Sequence, residues 1–382
     1  MVELALSNCE VVCGAETFRG HVVLRHGLIE AVGQGPASTP GAVDCEGDFV
    51  CPGLIELHTD NLERHIQPRP TAQWPHTPAV MAHDAELASC GITTVFDAVR
   101  AGTLSYPGYD TGYRAYARDL TTEILDLVDA HVLKISHFIH LRAEICSQTL
   151  SDELDAFGIS DRVRLVSIMD HTPGQRQFTD VSKFEFYARA AMGLNEQEFA
   201  QYVAFLEDLR ESVGETHIAA AVEHAKAWGA TLASHDDTTA GQVVASAELG
   251  VEVAEFPTTL AAAQACFEAK IAVMMGAPNL VRGGSHSGNV AAMDLAKADR
   301  LDIVSSDYVP SALLLAAVRL GREWQDMARG LATVTSAPAR ALGLDDRGVL
   351  EPGKRADVLR FRTLDDGTPV IRGVWAKGRQ VA

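Results

Sequence analysis

PGLIELHTD, residues 52–60, carries more architectural information than any other stretch of this 382-residue chain. Pro52 and Gly53 interrupt what precedes them. Leu54 to Leu57 then form a short apolar run, broken only by Glu56, and the run ends on His58 and Asp60. In extended backbone, side chains two residues apart point to the same side. One strand end therefore presents an imidazole and a carboxylate together. A run apolar on both faces is what a parallel strand covered by two layers requires.

Moving outward, the same pattern recurs. GITTVFDAV from Gly91, SHFIHLRAEI from Ser136, VRLVSIMDH from Val163, ATLASHD from Ala230, VEVAEFP from Val251, IAVMMGAP from Ile271 and LDIVSSD from Leu301 are short apolar runs separated by alanine-rich helical stretches. With the first run they make eight βα units over about 290 residues, the length of a (β/α)8 barrel. The span from Thr172 to Gly229 is long for one crossover and leaves room for a hidden strand. Residues 1–52 and the tail alternate apolar and polar residues between glycines, which reads as β-structure. The predicted organisation is an α/β TIM-like barrel over 53–345, flanked by a small β-sandwich domain built from 1–52 plus 346–382.

In such a barrel the active site forms at the C-terminal ends of the strands. Those ends carry His58 and Asp60, Asp97, Glu144, His171, His235 with Asp236 and Asp237, Glu255, and Asp307. Neutral imidazole with carboxylate suits a divalent ion such as Zn2+ or Mn2+. His83 and His140 compete for membership and are assigned to supporting roles instead. Asp236 and Asp237 either extend the metal site or hydrogen-bond Thr238 and Thr239.

Charge bounds the partners. There are 32 Lys+Arg against 51 Asp+Glu, a net charge of −19. A surface that acidic repels nucleic acid and anionic membrane, so neither is expected as a partner. The start of the chain has no basic segment leading into an apolar one, and the longest apolar stretch, around Ser311 to Val318, is too short to span a bilayer. Seven scattered cysteines without a CxxC pair read as reduced thiols in a cytoplasmic protein. Homo-oligomerisation stays open.

An anionic substrate of so acidic a chain needs local cations. In VRGGSHSGN, residues 281–289, glycines let backbone N–H groups converge as an anion nest. Arg282 adds a phosphate-matched fork, and His286 adds another donor. The alternative is an ordinary tight loop. Arg69 and Arg142 are further candidates, although Arg142 could equally pair with Glu144. There is no GxxxxGK[ST] loop and no GxSxG elbow, which argues against P-loop and serine-hydrolase chemistry.

PGLIELHTD, a later strand-end His, a last-strand Asp and the closing GVLEPGKRADVLRF (348–361) resemble the amidohydrolase superfamily. Six longer blocks sharpen the likeness: HTDNLERHIQPRP (58–70), MAHDAELASCGITTVFDA (81–98), ASHDDTT (233–239), EFPTT (255–259), MGAPNLVRGGSHSGN (275–289) and SSDYVPSALL (305–314). They resemble the diphosphatase family of the carbon–phosphorus lyase pathway over nearly the whole chain. That resemblance implies hydrolysis of a phosphorylated small molecule, α-D-ribose 1-methylphosphonate 5-triphosphate, to the 5-phosphate and diphosphate. It further implies a site for two divalent ions, Zn or Mn, held by His58, Asp60, Glu144, His171, His235 and Asp307, with Asp307 also taking the proton from the attacking water. The sequence departs from the superfamily's usual His-x-His, since Asp60 stands at the third position. The usual bridging lysine is absent too: Lys134 lies before its strand, and Glu144 is the substitute bridge. The rival expectations are an amidohydrolase cleaving a C–N bond and a barrel without catalysis that serves as a binding partner.

Overall fold

The computed structural model describes residues 4–69, 72–176, 181–285 and 288–382, apart from the side chains of Lys183 and Tyr187. His286, one of the expected phosphate contacts, lies outside the described residues.

The chain begins with β1 (Leu4–Cys13), β2 (Glu16–Arg25), β3 (Leu28–Gln34), β4 (Val43–Asp44) and β5 (Phe49–Pro52). Eight parallel strands follow: β6 (Leu54–Thr59), β7 (Ile92–Ala101), β8 (Ser136–Glu144), β9 (Val163–Met169), β10 (Thr231–His235), β11 (Val253–Glu255), β12 (Ala272–Gly276) and β13 (Ile303–Ser305). The tail adds β14 (Val358–Thr363), β15 (Pro369–Ala376) and β16 (Arg379–Gln380). Each of the eight apolar runs picked out in the sequence is a strand, and they pair in chain order from β6 to β13.

The second sheet joins both ends of the chain in the order β16-β15-β14-β5-β1-β2-β3, with β4 beside β1. Leu6, Val11, Val22, Val50 and Val358 form its core. The passage from this sheet into the barrel falls at Gly53, whose N–H bonds to Asp357 O at 2.9 Å. A Cβ on Gly53 would sit 2.2 Å from Thr93 Oγ1, so the crossing tolerates no side chain.

Inside the barrel one apolar layer draws on every strand. Leu57, Phe96, Leu165, Ala233, Val253, Met274 and Ile303 are buried together, with Phe138 of β8 packed against them and Ala339, Leu342 and Leu344 below. Each large side chain contributes roughly 1.5–3 kcal/mol by leaving water, and the layer closes the floor under the strand ends. The span after Thr172 holds two helices, Val181–Met192 and Glu196–Trp228, and no strand among the described residues. The 33-residue helix is framed by Asn195, whose side chain accepts from Glu198 N, and by left-handed Gly229. All seven cysteines are free. Among the described residues, no helix is long and apolar enough to cross a membrane.

Candidate active site

Period two along the strands builds the site directly above the apolar layer. Two residues beyond Phe138, Leu165, Ala233, Val253, Met274 and Ile303 stand His140, Ser167, His235, Glu255, Gly276 and Ser305. Strand β6 breaks this rule through a register shift between Glu56 and Thr59, which brings His58 to the rim beside Leu57. Asp236, Phe256 and Asp307, just past the ends of β10, β11 and β13, all take left-handed backbone with φ of 54–55°. Non-glycine residues in that conformation cost energy and cluster at functional sites.

The barrel closes through the site itself. Asp60 N donates to Asp307 O at 3.0 Å, and Asp307 N donates to His58 O at 3.1 Å. Thr59 Oγ1 also donates to Asp307 O, at 2.8 Å. Beneath this seam the fully buried Glu56 accepts from His58 N at 2.8 Å and Ser306 N at 2.6 Å. Burial lifts its carboxyl to about 7.

Four imidazoles run across the rim. Their ring centroids are 5.0 Å apart from His140 to His58, 5.7 Å from His58 to His235, and 6.0 Å from His235 to His171. Two sets of donor atoms converge within 4.8 Å, one from His58, His235 and Glu255, the other from His171, His235 and Asp236. His58 Nδ1 lies 3.2 Å from Glu255 Oε2, yet His58 Nδ1 and Glu255 Oε1 have no hydrogen-bond partner among the described residues. Buried donors that face one another without hydrogen-bond alignment fit a shared cation. Burial alone would raise Glu255, but His58 and His140 hold it well below the usual carboxylate range. Burial alone would lower His58, and Glu255 more than offsets that.

Around this set the remaining predicted residues divide. Arg142 pairs with Asp60, Nη1 to Oδ1 at 2.5 Å, rather than with Glu144. Burial would raise Asp60, but that guanidinium holds its carboxyl down. Glu144 hydrogen-bonds His171 Nδ1. Asp307 is the reverse of Asp60: burial raises it, and His58 only partly counters. Its carboxylate lies against Gly276, where a Cβ would come 3.5 Å from Oδ2.

His58, Asp60, Arg142, His171, His235 and Asp307 all line one cavity of about 300 Å3, joined by Asp236, Asn279, Ser285, Asn289 and Tyr308. Arg69 and Arg282 are exposed and off its wall, Arg282 ending the helix Ala277–Arg282. The glycine-rich loop thus meets the cavity through Ser285 and Asn289. His140 bonds Leu57 O at 2.9 Å and Ser167 Oγ at 2.6 Å. Asp97 turns away, bonding His83 at 3.0 Å and His137 at 2.7 Å in the helix layer. Asp237 pairs with Arg176 at 2.7 Å.

Three residues outside the predicted ligand set take part in this arrangement: Glu255 and Asp236 in the converging donor groups, and Glu56 beneath the seam. The first two carried the strand-end signal that selected their neighbours. Glu56 carried only its charge within an apolar run.

A scan against models of protein families found no match. In shape, the chain superposes on N-isopropylammelide isopropylaminohydrolase from Burkholderia multivorans with a TM-score of 0.64 at 18% identity, covering 100% of this chain and 98% of that one. It superposes on N-acetyl-D-glucosamine-6-phosphate deacetylase from Mycobacterium smegmatis with a TM-score of 0.63 at 16% identity, covering 100% of both. The fold is that of the amidohydrolase superfamily. In sequence, the chain is 38% identical over 382 residues to α-D-ribose 1-methylphosphonate 5-triphosphate diphosphatase of Escherichia coli, covering 99% of this chain and 100% of the relative. It belongs to that family of hydrolases.

Proposed function

We propose that the protein is a metal-dependent diphosphatase that cleaves α-D-ribose 1-methylphosphonate 5-triphosphate to the 5-phosphate and diphosphate. The observation that carries this reading is the full-length 38% identity to a diphosphatase. The converging imidazole and carboxylate donors at the cavity supply chemistry suited to it. His58, His235 and Glu255 would hold one divalent ion. His171, His235 and Asp236 would hold a second, with Glu144 orienting His171. Such a cation makes water acidic and neutralises charge on anhydride oxygens.

The chain's own groups do the rest. Asp307, lifted by burial, would accept the proton of the attacking water, since a general base works best when its pKa approaches the operating pH. Arg142 holds Asp60 in one orientation and offers remaining N–H groups to phosphate oxygens. Asn279, Ser285 and Asn289 add neutral donors on the opposite wall. Phe256 packs edge-on against His58 and His235 at 5.1 and 5.3 Å between centroids, which keeps water off both rings.

The test is phosphorus NMR of purified protein with the ribosyl triphosphate and Mn2+. Diphosphate is the expected product. Orthophosphate would move the cleaved bond, and neither signal would overturn the proposal in favour of C–N cleavage.

A further inference from the structure

At the opposite end of the barrel lies a cavity of about 450 Å3 between the N-terminal ends of β8 and β9 and the small sheet. Its wall carries Lys134, Arg162, Arg355, Lys377 and Arg379 against one carboxylate, Asp129. Five cations around one cavity run against the grain of a chain with net charge −19.

Little in the protein neutralises them. Among the described residues, Arg162, Lys377, Lys134 and Arg379 form no ion pair. Lys134 Nζ donates to Val381 O at 3.1 Å and Arg379 Nη2 to Leu133 O at 3.3 Å, both neutral carbonyls. Arg355 alone has a carboxylate, Asp357 at 2.9 Å. The Nε atoms of Arg162 and Arg355 are buried without a hydrogen-bond partner among the described residues, an arrangement that is destabilising unless something accepts from them. Behind the wall, Arg347, which pairs with Asp346, and Arg164 lie 5.7 and 6.0 Å from the centre of the Phe138 ring, on which Arg162 also stacks at 4.7 Å.

The backbone is strained at the same place. His131, Arg162 and Lys377 all line the cavity and all adopt left-handed φ, at 56°, 55° and 50°. That region favours glycine and asparagine, and such outliers persist where surrounding structure or function demands them. In Lys377 the first residue of a tight β15–β16 turn is a lysine, where stereochemistry prefers asparagine or glycine.

We propose that this cavity is a binding site for a multivalent phosphate anion, orthophosphate or diphosphate, which bridges the barrel and the small sheet. Arg162 and Lys134 reach it from the barrel, and Arg355, Lys377 and Arg379 from the sheet. Planar guanidinium forks match tetrahedral phosphate oxygens, and a single negative charge would leave the cluster largely uncompensated. Burial first, then mutual repulsion, lowers Arg162 and Lys377 from their ordinary values, which is the response expected of cations awaiting a counter-charge. The site is independent of the chemistry at the rim.

The experiment is calorimetric titration and thermal unfolding of the full chain with orthophosphate, diphosphate and chloride at matched ionic strength. Wild type, R162Q/K377Q, Arg379→Gln and the rim variant Arg142→Met are compared. Binding that survives in Arg142→Met but weakens roughly tenfold or more in R162Q/K377Q is expected from the loss of charge-assisted bonds. Arg379→Gln, altered at an exposed side chain whose hydrogen bond goes to the Leu133 carbonyl, should show the same direction with a smaller loss. Hydrolysis of the triphosphate should be unchanged in both. Without anion, R162Q/K377Q should melt higher than wild type. A larger response to diphosphate than to orthophosphate would identify the released product as ligand, and equal responses would identify free phosphate. Unaltered phosphate and diphosphate affinity in R162Q/K377Q and Arg379→Gln would overturn the proposal. So would equal stabilisation by chloride.

Discussion

His137 and His140 sit three residues apart on β8, both fully buried, yet their surroundings shift them in opposite directions. His137 lies between Asp97 at 2.7 Å and Asp84 at 3.2 Å. Burial would push it down, but those carboxylates hold it at about 9. His140 lies between a carbonyl and a hydroxyl. Burial drives it to about 3, and Glu255 is outweighed because His58 and Arg142 oppose it. Desolvation is common to both, so the neighbours decide the proton. The same contrast separates the two ends of the barrel. The C-terminal rim gathers imidazoles and carboxylates that invite a cation, while the N-terminal end gathers guanidinium and ammonium groups that invite an anion.

The contrast can be broken at the rim first. Asp307→Asn should lower turnover on the order of 10³-fold, as removal of a general base does, read as diphosphate release at saturating substrate. A rate within tenfold of wild type would take Asp307 out of the proton path. The second test is at the other end. Because the folded pKa of His137 is raised from 6.5 to about 9, its contribution is complete below 6.5 and is lost as pH rises through about 9. That contribution is worth about 3 kcal/mol. Urea unfolding of wild type should therefore lose stability across that window, and His137→Asn should flatten the dependence. A variant with the wild-type slope would contradict the pairing.

Smaller effects sharpen the comparison. Glu255→Gln should weaken divalent-ion binding about 10- to 100-fold in a chelator competition, while phosphate binding at the opposite end stays as in wild type. Arg282→Ala should raise KM only a few-fold, more at low salt, because an exposed cation off the cavity wall acts through a screened field. A large KM change at physiological salt would instead place Arg282 in direct contact with substrate.

The barrel was legible because parallel strands covered on both faces must be apolar nearly throughout, and all eight runs announced themselves that way. Strand ends carrying His or an acid pointed to the rim, so His58, His171, His235 and Asp307 share one cavity. Asp97 carried the same signal and faces the helix layer instead. A single strand-end letter does not state which way its side chain points. Glu255 and Asp236 were visible as strand-end acids, yet only the approach of their oxygens to His58, His235 and His171 sets them apart from Asp237, which is taken by Arg176.

Periodicity and composition determined, by themselves, the eight strands, the pairing of the two chain ends into a second sheet, and a rim rich in metal-binding groups. These follow from local rules of burial and alternation that any window of the chain obeys. The tertiary structure alone decided that Arg142 reaches Asp60, that Glu56 seals the seam, and that arginines from residues 162, 347 and 355 meet around one end of the barrel. Those contacts join positions up to 250 residues apart, and their energies depend on distances and shared desolvation that no sequence window contains.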